Sequence, residues 1–364
     1  MTMTEPVESS SYDIRSTIRA VVDGRELERH EAMAAMNAIM TGTVTGAQIG
    51  SLVTGLRMRG ETVSEIAGFA SAMREHALRV EVAKTDSPLV DTCGTGGDGA
   101  GTFNISTTAS FIIAAAGIRV AKHGNRAVTS KCGSADLLEG LGVHIELTPQ
   151  EVGTCVDTVG IGFMYAPAFH PAMRFVGPAR REMGIRTIFN VLGPLTNPAG
   201  ASHQLIGVGH PDIAQKLARV LEVLGSRHAV LVHAEEGLDE LGLAGTSTVT
   251  EFDARVGKIK TFSITPEDFG LERAPVEALG GGSAAENVAI TRSILSGEPG
   301  PRRSVTLLNA GAGIYAADAA ESFAEGIRIA EDIIDSGRAL AKIDELATFT
   351  TSLVSERESA LVTA

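Results

Sequence analysis

From Tyr12 to Val80 apolar residues recur three and four positions apart almost without a break. The segments "YDIRSTIRAVVDG", "ELERHEAMAAMNAIMTG", "TGAQIGSLVTGLRMRG" and "TVSEIAGFASAMREHALRV", punctuated by Gly or Thr, predict four helices. Thr62 and Glu65 have capping-box spacing at the start of the fourth. After "AKTDSP" the pattern changes to short apolar runs that each end in a Gly-rich or polar loop: "PLVDTCG", "IRVAKHG", "IGFMYAP", "HQLIGVGH" and "HAVLVHA". Runs apolar at every position suit strands covered on both faces. The segments "SFIIAAAG", "ADLLEGLG", "DIAQKLARVLEVLG" and one starting at Thr148 read as helices between them. From Thr246 to Ile264 the alternation of apolar and polar positions predicts added antiparallel strands, and "SAAENVAITRSILSG", "VTLLNAGAGIYAA" and "SFAEGIRIAEDIIDSG" return to helix. No internal repeat is present. The predicted fold class is α/β: a small helical domain plus a larger α/β domain whose central sheet is mixed, mostly parallel and flanked by helices.

Composition narrows the chemistry. With 364 residues, 44% of them hydrophobic, the chain can fill a large core. Its formal charge of −13 argues against a broad basic footprint for nucleic acid, so a polyanionic ligand must be gripped by local devices. The first twenty residues are polar, and no run approaches the length of a membrane span, so a cytoplasmic protein without membrane contact is expected. Cys93, Cys132 and Cys155 form no C-x-x-C pair and read as reduced thiols.

Candidate chemistry sits where the strands end, which is where open α/β sheets bind ligands. "DTCGTGGDGAGTFNIST" places five glycines in its first eleven residues, then a polar Asn-x-Ser-Thr run before an apolar segment. Such glycines let successive backbone N–H groups converge on a phosphate, and a following helix N-terminus adds hydroxyls and its dipole. The glycines alone would also suit a plain left-handed turn. Neither a dinucleotide fingerprint nor a Walker A motif is present. The next loop, "AKHGNRAVTSKCGSAD", gathers Lys122, His123, Asn125, Arg126 and Lys131, with Gly133-Ser134 opening another helix. A third loop brings His170, Arg174, Arg180 and Arg181. Glu235, Glu236, Asp239 and Glu240 follow the fifth strand; such a cluster is either a solvated face or, for Asp239-Glu240, a Mg²⁺ site.

"DTCGTGGDGAGTFNIST", "KHGNRAVTSKCGSAD", "FHPAM", "NVLGPLTNP" and "GLDEL", in this order, closely resemble the anthranilate phosphoribosyltransferases, from about Ile14 to Leu346. The resemblance implies a homodimer with the architecture of pyrimidine nucleoside phosphorylases, in which part of the helical domain returns later in the chain. The expected division is a helical domain at 12–84 completed by about 172–201, an α/β domain at 85–171 and 202–346, and a partly helical tail at 347–364. The implied reaction transfers the phosphoribosyl group of phosphoribosyl pyrophosphate to the amine of anthranilate, with two Mg²⁺ ions. By motif matching, Gly94, Gly96, Gly97 and Asp98 surround the pyrophosphate end, Thr102 is a further substrate-binding residue, and Asn104, Ser106, Thr107 and Lys122 bind phosphate oxygens. Ser134 also contacts the phosphoribosyl substrate, and Ser106, Asp239 and Glu240 hold the metal. Gly94, His123, Asn125, His170 and Arg180 match positions for anthranilate, with Arg180 near its carboxylate and His123 positioning the amine or assisting proton removal. Two positions depart from the family pattern: Cys132 and Gly242 each stand where Ser is common. A nucleoside phosphorylase is the rival enzyme, with its differently organised Lys and Ser-Thr-Gly-Gly loop. A silent, nucleic-acid-binding relative is a second rival, at odds with the acidic balance and with Asp239 and Glu240.

Overall fold

A computed structural model of the chain describes residues 12–85, 87–127 and 131–363. The fold divides into two compact units: one takes the chain up to His76 together with Ala172–Phe189, the other Ala77–Pro171 together with Asn190–Ala364.

The smaller unit opens with helices α1 (Ile14–Val22), α2 (Arg29–Met40), α3 (Gly46–Arg59) and α4 (Val63–Glu75). Thr45/Gln48 and Thr62/Glu65 form the capping boxes that start α3 and α4. Glu65 does more than cap. Fully buried, it accepts from Leu27 N at 2.8 Å and Thr62 N at 2.9 Å and pairs with Arg59, so one carboxylate ties the α1–α2 loop to α4. Helices α2 and α4 meet through small residues; a Cβ at Gly68 would press on Arg29 O and Ala32.

In the larger unit the chain runs β1 (Leu89–Gly94), α5 (Ile105–Ala115), β2 (Arg119–Gly124), α6 (Ser134–Gly140), α7 (Pro149–Val159), β3 (Ile161–Tyr165) and α8 (Ala166–Phe169). It then visits the smaller unit as α9 (Gly177–Met183), whose Ala179 and Met183 rest on Gly46 and Gly50 of α3. It returns through α10 (Phe189–Leu192), β4 (His203–Gly207), α11 (Ala214–Val223), β5 (His228–Ala234), β6 (Ser247–Asp253) and β7 (Lys258–Ile264). Helices α12 (Ala284–Leu295), α13 (Pro301–Ala316), α14 (Phe323–Asp335) and α15 (Arg338–Thr363) complete it. The seven strands form one sheet in the order β3-β2-β1-β4-β5-β6-β7. Strands β1 to β5 are parallel, and β6 and β7 antiparallel. Strands β4 and β5 are buried almost throughout, whereas the edge strand β7 is largely exposed and carries Lys258 and Lys260, which discourage further pairing.

This order sets the site. Strand β1 pairs with β2 on one side and β4 on the other, so the loops after β1 and β4 leave the sheet in opposite directions and open a crevice at their carboxyl ends. Among the described residues no helix is long and apolar enough to cross a membrane.

Three expected boundaries shift. The first helical segment ends at His76, short of 84, because 77–84 is bound into the α/β unit: Leu78 N donates to Phe169 O at 2.9 Å and Ala83 N to Asp157 at 2.9 Å. The returning segment ends at Phe189, short of 201, because 190–201 is bound into the α/β unit: Asn197 Nδ2 donates to Asp91 at 2.8 Å and Ala121 O at 2.9 Å, and Val80 N donates to Pro198 O at 3.1 Å. The expected tail at 347–363 continues a single helix from Arg338, held by Thr350 Oγ1 accepting from His144 N at 3.1 Å and Arg357 donating to Glu151 at 2.7 Å; residue 364 lies outside the described residues.

Candidate active site

The loop after β1 is a chain of left-handed glycines, with φ of 66° at Gly96, 78° at Gly97, 71° at Gly99 and 66° at Gly101. Nothing lies within 4 Å of a Cβ placed at Gly96, Gly99 or Gly101, so glycine is required there for conformation and not for space. Gly94 and Gly207 differ. These β1 and β4 termini lie against the turn after β5, where a Cβ on either would collide with Asp239. The acidic turn is thereby seated over the mouth of the crevice.

Of the four acids in that turn, two brace it and two face the glycine loop. Glu235 accepts from Thr246 N at 3.2 Å and Glu236 from Ala244 N at 3.1 Å. Asp239 Oδ2 accepts from Gly96 N at 2.8 Å, and Glu240 Oε1 accepts from Ser106 N at 3.1 Å in the first turn of α5. Burial pushes the Asp239 carboxyl up to about 6, with Asp98 adding repulsion. It pushes Glu240 to about 8, with Asp239 adding to the shift and Lys122 and Ser106 opposing it. Among the described residues no three His, Cys, Asp or Glu side chains converge as a finished metal cage. Adjacent half-buried carboxylates short of compensating charge, with the Ser106 hydroxyl beside them, fit a hard cation that keeps waters and takes further oxygens from a substrate.

A pocket of about 270 Å³ adjoins this loop, lined by Asp98, Gly99, Gly101, Thr102, Lys131, Cys132, Gly281, Gly282 and Asn287. Its far wall, 281–287, is absent from the sequence-derived site. Gly281 N donates to Gly101 O at 2.9 Å and Phe103 N to Leu279 O at 3.0 Å, so this segment clasps the glycine loop. Asn104 is a brace within that clasp: its Nδ2 donates to Cys132 O at 3.0 Å and its Oδ1 accepts from Asn287 Nδ2 at 2.9 Å. The signal available in sequence was Gly280-Gly281-Gly282-Ser283 running into a Ser-x-x-Glu helix start at Glu286.

Lys122 and Thr107, both expected at phosphate oxygens, are buried. Lys122 is 3% exposed, and its Nζ donates to Thr92 O at 2.5 Å, with Asp91 and Glu240 as its electrostatic neighbours. Burial lowers its pKa, and those carboxylates oppose the shift. Thr107 is buried within α5. Asn125 and Ser134 meet where Ser134 Oγ donates to Asn125 O at 3.1 Å, and Asp136 closes the loop by accepting from Gly133 N at 2.8 Å and Ala127 N at 3.0 Å. The middle of this loop, 128–130, lies outside the described residues.

His123, at the end of β2, and His170, after α8, lie with ring centroids 5.0 Å apart and ring planes tilted by 57°. Both are buried, and neither Nε2 has a protein partner. Burial holds His123 down at about 3, with His170 adding to the effect, and His170 at about 4, so both rings are neutral at pH 7. His123 is opposed only by a hydrogen bond to the Gly193 backbone. With its other nitrogen donating there, Nε2 carries the lone pair. Asp91 fixes this strand end by accepting from His123 N at 3.1 Å. Arg180 belongs to the smaller unit, on α9, with its guanidinium 5.9 Å from the Phe189 ring centroid.

Two family models cover most of the chain: the glycosyl transferase family helical bundle domain over residues 15–77 and the glycosyl transferase family a/b domain over 86–340. An anthranilate phosphoribosyltransferase from Chloroflexus aurantiacus is 56% identical over 92% of this chain and 98% of its own. The chain belongs to the anthranilate phosphoribosyltransferase family. Among solved structures it is similar to the Thermus thermophilus enzyme of that name, with a TM-score of 0.87 and 45% identity over 92% of this chain and 99% of that one. The Saccharomyces cerevisiae enzyme in complex with PRPP and Mg has a TM-score of 0.84 and 28% identity over 93% and 98%. Within the family frame, the Gly242 departure has a local cause. The Glu236 carboxylate that holds Ala244 N fills the space a side chain at 242 would need. Cys132 has no such compensation, since it lines the pocket itself.

Proposed function

We propose that this chain transfers the phosphoribosyl group of 5-phosphoribosyl 1-pyrophosphate to the amine of anthranilate, giving N-(5-phosphoribosyl)anthranilate and pyrophosphate, on the strand-end loops of the larger unit. The observation that carries the reading is the shared wall of anion cradle and acids: Gly96 N on Asp239 and Ser106 N on Glu240. A phosphate oxygen arriving at those N–H groups takes the place now held by the carboxylates, which are then released to a cation. Asp239, Glu240 and the Ser106 hydroxyl are the residues we assign to Mg²⁺, with two ions expected. When bound, Mg²⁺ neutralises charge that develops on the departing pyrophosphate.

The remaining work falls to the chain. Gly94, Gly96, Gly97 and Asp98 enclose the pyrophosphate end, and Thr102, Lys131 and the 281–287 wall complete the pocket around the phosphoribosyl group. The anomeric carbon passes through an oxocarbenium-like state, as at other glycosidic carbons, so holding the amine in line behind it contributes most. Arg180 is assigned to the anthranilate carboxylate. His123 Nε2, neutral and without a protein partner, accepts from the amine N–H and orients it, with His170 beside it. An aniline nitrogen is already neutral at pH 7, so a strong base is not required, which suits a histidine held at about 3. We further assign the chain a cytoplasmic location and a homodimeric state, in keeping with exposed apolar Val22 and Met58 on helices of the smaller unit.

The test is loss of anthranilate fluorescence in the presence of phosphoribosyl pyrophosphate and Mg²⁺, with each component omitted in turn. Loss requiring all three supports the transfer. Absence of loss, together with phosphorolysis of a pyrimidine nucleoside by inorganic phosphate, would replace it with the phosphorylase reading.

A further inference from the structure

We propose that Asn309 is a positioning residue for the Asp239-Glu240 turn. It lies on α13, fully buried, in the layer that backs β1 and β4, with no place in the pocket lining. Its Oδ1 accepts from Leu241 N at 3.0 Å, and its Nδ2 donates to Leu241 O at 3.0 Å and to Val305 O at 2.9 Å. A carboxamide that meets one residue's N–H and C=O together fixes both position and rotation, where a single hydrogen bond leaves rotation free.

The residue so held directly follows Glu240, and its own side chain is buried. On the other side the turn rests against Gly207 and Gly94, leaving no room to sink toward the sheet. The turn is therefore gripped between strand ends and α13, and the α13 side holds it through the Asn309 carboxamide. Rotation at Leu241 would carry Glu240 away from Ser106 N and Asp239 away from Gly96 N. Its removal would also leave the buried Leu241 N–H and C=O without the partner they now have, at a cost that favours rearrangement of the turn. Of the common replacements only a carboxylic acid reproduces the pairing, and only while protonated, when it both accepts and donates.

The functional consequence rests on Asp239 and Glu240 being the metal carboxylates; the positioning itself does not. Two variants decide it, Asn309→Ala and Asn309→Asp, each compared with the unaltered protein. In the metal-free protein, amide hydrogen exchange over residues 235–243 should quicken about tenfold in Asn309→Ala while exchange in α2 and α4 stays unchanged. Calorimetric binding of phosphoribosyl pyrophosphate with Mg²⁺, without anthranilate, should weaken about tenfold, with the anthranilate KM within about twofold. In Asn309→Asp both defects should shrink relative to the unaltered protein as pH falls and the introduced carboxyl takes up a proton.

Unchanged exchange over 235–243 in a folded Asn309→Ala protein would overturn the proposal. So would equal rises in the anthranilate KM and in the metal requirement. If Asn309→Ala does not fold, Asn309→Asp decides, and a defect that does not lessen at lower pH overturns the proposal. Faster exchange in the variant, alongside an unaltered protein whose binding and turnover ignore Mg²⁺, would refute the metal assignment and leave the positioning role standing.

Discussion

The buried histidines and the half-buried acids of the larger unit respond to the same physics in opposite directions. Burial drives His123 and His170 down, to about 3 and about 4, and drives Asp239 and Glu240 up, to about 6 and about 8. In each case the neutral form is favoured. The histidines reach it with both Nε2 atoms lacking protein partners, which leaves them available to a neutral amine. The acids instead borrow backbone N–H groups from the glycine loop and the start of α5. On the proposed roles, one half of the site suits a neutral acceptor and the other a cation that releases its acids.

The largest effect should come from breaking the acidic half. Asp239→Asn combined with Glu240→Gln is expected to lower turnover about a thousandfold or more while the fold persists. The same variant tests the charge argument by stability. An unfolded carboxylate loses its proton near its ordinary value, whereas the folded pair holds protons until about 6 and about 8. Between those limits the folded state binds more protons, so metal-free stability is greatest at low pH and falls as pH rises. Thermal melts from about pH 5 to about pH 9 should show that fall in the unaltered protein, its reversal by Mg²⁺, and a flatter profile in the double variant. A slope that survives both substitutions would assign it to other groups.

On the acceptor side the next effect is Arg180→Ala, expected to raise the anthranilate KM about thirtyfold and that of phosphoribosyl pyrophosphate less than about twofold. Equal rises would remove Arg180 from the carboxylate role. His123→Asn should cost only about tenfold in kcat, because orientation and not proton removal is lost. Its pH profile should match that of the unaltered protein near neutrality, since a group at about 3 does not titrate there. A drop approaching a thousandfold, or a lost inflection near pH 6.5, would restore His123 as a general base.

Much of this was legible in the sequence because the signals were local. Each parallel strand ends in a loop whose glycines or acids mark it, and the capping boxes at Thr45, Thr62 and Thr148 announce their helices. Long-range pairings were not legible. Asn287 is an ordinary helical asparagine until it meets Asn104, 183 positions earlier in the chain. Asn197 likewise acquires its meaning from Asp91, 106 positions away, and that bond explains why the helical unit's returning segment stops at Phe189. Lys122 illustrates the converse. Its position in a donor-rich loop suggested phosphate; its reach to Thr92 and its neighbours Asp91 and Glu240 could be read only from the fold.

The smallest effect tests the wall of the pocket beside the glycine loop. Cys132 is 5% exposed, lines the pocket, and contacts Gly133 O with its Sγ at 3.6 Å, a weak interaction for a thiol. Burial raises its pKa, so it is a neutral thiol at pH 7, and its neighbour Asn287 is the residue that braces Asn104. Cys132→Ser replaces a weak donor by a strong one in the lining of the pocket proposed for the phosphoribosyl group, with little change in volume. The KM for phosphoribosyl pyrophosphate should fall about two- to threefold, and the anthranilate KM should stay the same. A rise in the donor KM instead would mean that the hydroxyl competes for Asn287 and loosens the Asn104 brace, making the thiol the better fit to this wall.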